Sequence, residues 1–280
     1  ECHHISAVSF ESVIRKCPAY YRLGLSATIT RKDGQQPIVL MNLGEPCYTA
    51  PRHSARFIQK VIPRYTGFQL PEPVDPIEPV KPVKPAASSA SGGNDGGNDS
   101  EPRVVTATPL EIQELFKLLW TDADRNKVII HDITAAYAQG REILVLSERL
   151  DHLALLADSL GACTEYLFVL KGGLGKKQLK TIMENIQNVP SGSNRIILAT
   201  GKYLGEGFDL SCLDTLFLVF PFSWKGTLIQ YAGRLNRSAQ GKTEIRIYDY
   251  VDEKVPVLQR MFNRRMKGYR DLGFATEAAR

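Results

Sequence analysis

The chain has 280 residues, 43% of them hydrophobic and 23% charged, with a formal net charge of +5 and a sequence pI near 8.9. Such a composition belongs to a globular protein able to bury a core, and its mildly basic balance permits a nucleic-acid partner without requiring one. No apolar run reaches the roughly 20 residues that cross a bilayer, and no signal peptide opens the chain.

The first residues, Glu1-Cys2-His3-His4, combine a carboxylate, a thiol and two imidazoles. Adjacent side chains do not converge on one ion, and no second ligand pair follows at zinc spacing, so no metal site is expected here. Five scattered cysteines (Cys2, Cys17, Cys47, Cys163, Cys212) form no C-x-x-C pair, which points to a reducing cytoplasm. A start at Glu1 rather than Met reads as a fragment or a processed product. Val8 to Ile14 has helical spacing. Tyr21 to Leu25 reads as a strand running into Ser26-Ala27-Thr28, and Phe57 to Gln69 as a further strand. Residues 1–70 by themselves lack the strands that a stable sheet needs.

Residues 71–101 read PEPVDPIEPVKPVKPAASSASGGNDGGNDSE, a Pro-x-x repeat passing into Ser/Ala and then Gly/Asn/Asp. With no aromatic residue and no apolar period, this segment cannot bury enough to fold and reads as a disordered linker. Its Val-Lys-Pro steps could also serve as a peptide ligand for a partner.

From 102 to 280 strand-like and helix-like stretches alternate. Glu142 to Ser147, Tyr166 to Leu170, Arg195 to Ala199, Thr215 to Val219 and Ile245 to Tyr248 are short apolar runs. Arg149 to Leu160, Lys176 to Ile186 and Ser223 to Leu235 have helical spacing between them. Continuous apolar strands separated by such helices predict an α/β fold: a parallel sheet covered on both faces, with ligands at the carboxyl ends of its strands. The last stretch, Lys254 to Arg270, is an amphipathic helix. Its Arg260, Arg264, Arg265, Lys267 and Arg270 form either a solvated face or a track for phosphates.

Two stretches imitate phosphate-binding loops. Gly241-Lys242-Thr243 has Asn236 where G-x-x-x-x-G-K-[ST] needs glycine, and it precedes a strand rather than a helix, so it reads as a turn. Gly172-Gly173-Leu174-Gly175-Lys176-Lys177 opens a helix, but Leu170 and Gln178 stand where Gly and Ser/Thr belong. Lys176 and Lys177 at that helix start are nonetheless candidates to hold one nucleic-acid phosphate.

Several remaining pieces fall into one order: Glu1-Cys2-His3-His4, Gly24-Leu25-Ser26-Ala27-Thr28, Leu144-Val145-Leu146-Ser147-Glu148-Arg149, Ile197-Leu198-Ala199-Thr200-Gly201 leading to Gly205-Glu206-Gly207-Phe208-Asp209, and Gln230-x-x-Gly233-Arg234-x-x-Arg237. This order resembles motifs II to VI of the superfamily 2 helicases and translocases of the DExH (DEAD/DEAH-box) type. Ser26 to Gly34 is most similar to the branch of DNA-repair translocases and restriction-system motors. The resemblance implies two RecA-like lobes with ATP and Mg²⁺ held between them. Residues 1–70 would be the C-terminal part of the first lobe, and 102–280 the second, the helicase C-terminal domain.

The resemblance also implies roles. Glu1 would orient the water that attacks the γ-phosphate, and the Asp expected just before it would hold Mg²⁺, leaving no metal ligand within the chain. His3 would contact nucleotide, Ser26 and Thr28 would couple nucleotide state to the nucleic-acid surface, and Gly207 and Asp209 would lie near the nucleotide. Thr200 and Gly201 would meet the nucleic-acid backbone. Arg234 and Arg237, three apart on one helix face, would be arginine fingers on the γ-phosphate, supported by Gln230. Since no Walker A loop occurs in residues 1–280, the isolated chain is expected to be inactive as an ATPase. The implied partner is nucleic acid, DNA rather than RNA, alongside partner proteins of a repair, restriction or mobile-element defence system. The competing reading is a non-catalytic nucleic-acid-binding or scaffolding remnant that kept the second lobe.

Overall fold

The computed structural model describes residues 2–26, 34–49, 57–71, 112–190, 192–201, 210–222, 228, 231–233, 235–239 and 241–277, with the side chain of His3 set aside. Seven strands form one sheet: β1 (Ile58–Tyr65), β2 (Ile143–Leu146), β3 (Leu167–Leu170), β4 (Ile196–Ala199), β5 (Thr215–Leu218), β6 (Glu244–Val251) and β7 (Ala275–Thr276). Their order is β3-β4-β2-β5-β6-β1-β7, and every pairing is parallel. The helices are α1 (Val8–Lys16), α2 (Gln36–Leu43), α3 (Ile112–Thr121), α4 (Ala123–Ala138), α5 (Leu150–Leu160), α6 (Lys176–Gln187) and α7 (Pro256–Leu272). Leu228, Tyr231 to Gly233 and Leu235 are also helical, within the stretch expected as a helix.

The central strands are apolar throughout because alternate side chains enter different cores. Leu144, Leu146, Ile197, Leu216 and Ile247 face α6, α7 and the 228–235 stretch, which contribute Ile186, Tyr269 and Leu235. Ile143, Val145, Ile196, Leu198 and Phe217 face α4 and α5, which contribute Ile129, Ile133, Leu153 and Leu156. The expected doubly wound α/β architecture is therefore present.

Local chemistry sets several helix ends. Asp122 caps α4 by accepting from Arg125 N at 2.7 Å. α7 starts at Pro256, where a missing N–H costs nothing, and stops at Gly273 with φ +85°, a left-handed conformation suited to glycine.

Two expectations change. Tyr21 to Leu25 is not a strand: it is irregular and exposed. Among the described residues no strand lies beside it to take up its backbone groups, and an apolar run without a neighbour has no ladder to join. Phe57 to Gln69 does supply a strand, but β1 pairs along its whole length with β6, Ile58 opposite Glu244 through Tyr65 opposite Val251. Arg64 grips Asp132 of α4 at 2.7 and 2.8 Å, and Thr66 donates to Asp252 Oδ1 at 2.6 Å. Phe68 packs with Leu115 and Leu119 of α3 and with Leu258 of α7. The chain on both sides of residues 72–111 thus belongs to the same sheet-bearing unit. The boundary expected at residue 70 falls after a strand of that unit rather than before it.

Candidate functional site

The chain runs from β2 outward to β3, returns to β4 beside β2, and then crosses β2 to reach β5. This reversal makes the carboxyl ends of β4, β2 and β5 the switch point, where ligands of open α/β sheets bind. The loops there carry the stretches singled out in the sequence. Ser147 N donates to Ala199 O, Val219 N to Leu146 O, and Thr200 N to Leu170 O, each at 3.2 Å, extending the ladders into the loops. Ser147-Glu148-Arg149 and Thr200-Gly201 therefore lie side by side.

A buried polar chain fixes the first of these loops. The Ser147 hydroxyl meets His152 Nδ1 at 3.1 Å, and His152 Nε2 meets Asn126 Oδ1 at 3.1 Å. Asn126 Nδ2 donates to Trp120 O at 2.8 Å, which leaves its Oδ1 to accept from the ring and puts the neutral ring's proton on Nε2. Ser147 Oγ in turn accepts from Arg149 N at 3.2 Å. Burial, aided by the nearby Arg125 charge, draws His152 down to about 3. At neutral pH it is an uncharged spacer. Arg149 is half-buried, its guanidinium 5.8 and 5.7 Å from the Phe116 and Phe220 ring centres, and it donates to Gln113 Oε1.

Among the residues expected to act, Thr200 is 9% exposed and Gly201 is half-buried beneath Glu148 and Tyr231. Lys176 and Lys177 are exposed at the start of α6, near the carboxyl end of β3, where Gly175 N donates to Gln178 Oε1 at 3.2 Å. Ser26 is half-buried, and Arg237 is half-buried after the helical stretch. His3 lies in a 3-10 turn, Cys2–Ser6. Glu1, Thr28, Gly207, Asp209, Gln230 and Arg234 lie outside the described residues. Among the described residues no group of three or more His, Cys, Asp or Glu could hold a metal ion.

Gly241-Lys242-Thr243 is a turn into β6, with Gly241 at φ +80°. The Lys242 amine donates to Ser211 O at 3.2 Å, Arg237 O at 3.1 Å, and the carbonyls of Leu213 and Leu235. Burial draws it down to about 8, and it remains mostly protonated at neutral pH. Its three protons are spent on four carbonyls, so it ties loops together rather than offering charge to a phosphate. The basic helix also needs correcting. Arg260, Arg264, Lys267 and Arg270 are exposed, but Arg265 is 4% exposed and clamps Asp249 at 2.7 and 2.8 Å. A carboxylate on β6, 16 residues earlier, drew this arginine inward.

The sequence reading assigned no role to Tyr231, Glu148 or His152. Tyr231 stands beside Gln230 and Glu148 beside Ser147, so adjacency was a usable signal for both. Nothing in the apolar pattern of α5 marks His152 as a hydrogen-bonding residue.

A parallel sheet of this order, wound on both faces and with its loops gathered at the switch point, is a RecA-like lobe. The crystal structure of T4 UvsW shares the fold, with a TM-score of 0.54 at 14% identity over 88% of this chain and 45% of that one. Over most of its length the chain is similar to proteins named as helicases. It is 22% identical to "Probable helicase D10" of Escherichia phage T5 across 99% of its length, and 26% identical across 90% to L396 of Acanthamoeba polyphaga mimivirus, named as a candidate ATP-dependent RNA helicase. Transcript termination protein A18 of fowlpox virus is 27% identical across 50% of the chain. These matches cover 53%, 42% and 30% of the respective relatives, so the chain spans about half or less of their length. No protein-family model matches the chain.

Proposed function

We propose that this chain is part of an ATP-dependent nucleic-acid helicase or translocase, with ATP and Mg²⁺ bound against the switch-point side of the lobe described above. The observation that carries the reading is the convergence of Ser147–Arg149 and Thr200–Gly201 at adjacent strand ends. It is supported by the helicase names of two relatives. Arg234 and Arg237 act on the γ-phosphate, with Gln230 supporting them and Glu1 orienting the attacking water. His3, Gly207 and Asp209 contact nucleotide, and Ser26 and Thr28 pass its state onward. Thr200, Gly201, Lys176 and Lys177 meet the nucleic-acid backbone. The Ser26 to Gly34 stretch favours DNA, and the relative named as an RNA helicase makes RNA the comparison arm. Five unpaired cysteines support a reducing, cytoplasmic setting, and no described helix is long and apolar enough to cross a membrane.

The test is steady-state ATPase of the full-length gene product, alone and with DNA or RNA. Stimulation by DNA above that by RNA is the expected result. Nucleic-acid binding without stimulated turnover would instead identify a binding or scaffolding module. The 280-residue chain itself is expected to show no turnover above background.

A further inference from the structure

Three segments of the chain meet at one contact. Glu148 follows β2, Gly201 follows β4, and Tyr231 lies on the helical stretch three residues before Arg234. The Tyr231 hydroxyl donates to Glu148 Oε1 at 3.1 Å. Gly201 lies so close beneath this pair that a Cβ on it would stand 1.9 Å from the Tyr231 oxygen and 2.5 Å from Glu148 Oε1. Tyr231 is 5% exposed and packs edge-on against Phe222, ring centres 5.6 Å apart. Phe222 is held in turn by Arg265, which donates to its carbonyl at 2.6 Å and lies 5.3 Å from its ring centre. The hydroxyl therefore cannot swing away without disturbing a buried ion pair, and a displacement of Gly201 toward it has no free space to enter. Burial and the adjacent carboxylate push the Tyr231 phenol far above its ordinary value, so it is a donor at every physiological pH.

We propose that the Tyr231–Glu148 hydrogen bond is the link through which a nucleic acid seated on Thr200 and Gly201 positions the helical turn at Tyr231 and, with it, Arg234 and Arg237, which follow three and six residues later in the sequence. Tyr231 is thus a positioning residue for nucleic-acid-stimulated ATP hydrolysis. This rests on the helicase reading above. The nucleic acid presses on the Gly201 loop, Gly201 transmits the displacement to the hydroxyl and carboxylate directly above it, and Tyr231 carries it into its own helical turn. Glu148 serves as the fixed end of the bond, since it is anchored to β2 beside the Ser147–His152–Asn126 chain.

The test uses the full-length protein with single-stranded and duplex DNA titrated into an ATPase assay. Tyr231→Phe and Glu148→Ala each lower the stimulated turnover by about tenfold, the scale of one lost hydrogen bond to a charged group. Unstimulated turnover, the DNA concentration giving half-maximal stimulation and the melting temperature stay near wild type. Combining the two substitutions adds little to either alone, and Glu148→Gln, which keeps an acceptor oxygen, retains stimulation. Wild-type stimulation in Tyr231→Phe overturns the proposal and leaves the helicase reading standing. Parallel loss of basal turnover and melting temperature also overturns it, since the contact would then be packing alone. A wild-type protein that no DNA or RNA stimulates overturns the underlying reading, and the coupling with it.

Discussion

Residues 2–49 and the seven-stranded sheet contain similar apolar runs, yet they bury them very differently. In the first region Tyr20, Tyr21, Leu23 and Met41 are 84–92% exposed, and Val39 is the one buried hydrophobic residue among those described. In the sheet Leu144, Val145, Ile197 and Phe217 are wholly buried. Leu144 has β4 and β5 on either side and helices above and below, whereas Tyr21 has no strand beside it among the described residues. Apolar sequence produces a strand only where neighbours accept its backbone and cover its side chains. The candidate-site loops follow the same division: the described ones that are well anchored, Ser147–Arg149 and Thr200–Gly201, leave the sheet.

The difference can be pressed hardest at the buried ion pair. Arg265→Ala leaves Asp249 at 0% exposure without its partner, retaining only the Tyr269 hydroxyl at 2.8 Å. A loss of about 3–5 kcal/mol is expected, read as a drop in denaturant midpoint. Arg265→Met removes the charge but keeps the volume, and should lose about as much, because Asp249 is still stranded.

The next effect is on pH dependence. The His152 ring titrates near 3 when folded and near 6.5 when unfolded, so between those values the unfolded chain binds a proton that the folded chain does not. Stability is therefore full above pH 6.5 and falls as pH falls toward 3, by about 2 kcal/mol between pH 7 and pH 5 from this group. His152→Gln should flatten that part of the stability–pH curve. An unchanged slope would show that the ring is not held neutral.

A smaller effect tests the boundary between the regions. Because β1 and α3 belong to one unit, replacing residues 72–111 by about ten Gly/Ser residues closes the same loop with less chain. Two halvings of its length should raise stability by about 1 kcal/mol, measured as a higher melting temperature. A collapse in stability would mean that these residues do more than connect. Smallest of all, Tyr21→Ser should shift the melting temperature of the 280-residue chain by no more than an exposed substitution does, about 0.5 kcal/mol.

The central strands were readable because burial on both faces makes them continuous apolar runs such as Ile143 to Leu146, and α5 and α6 because their spacing is regular. α3 and α4 were not recognised. In α4, Arg125, Asn126 and Asp132 interrupt the apolar stripe, and only the structure shows that they face Asp252, His152 and Arg64. The place of β1 was equally hidden, since its partner β6 lies about 180 residues away in sequence. At the candidate site, motif order singled out Thr200 and Gly201, which lie beside Ser147 at adjacent strand ends, and Arg237, whereas Arg234 lies outside the described residues. The contact between Glu148 and Tyr231 was not legible, because it exists only once β2 and the helical stretch are brought together. Gly241-Lys242-Thr243 was legible as a turn from the missing Gly at 236 and the strand that follows it, and a turn into β6 forms there.

The central claim is that the arginines of this lobe act on ATP, and turnover by Arg234→Ala in the full-length protein tests it most directly. The account predicts that nucleic-acid-stimulated ATP hydrolysis falls by at least about a hundredfold, as loss of an arginine finger does, while binding of a fluorescent nucleotide changes only a few-fold. Stimulated turnover equal to that of the wild type would contradict it.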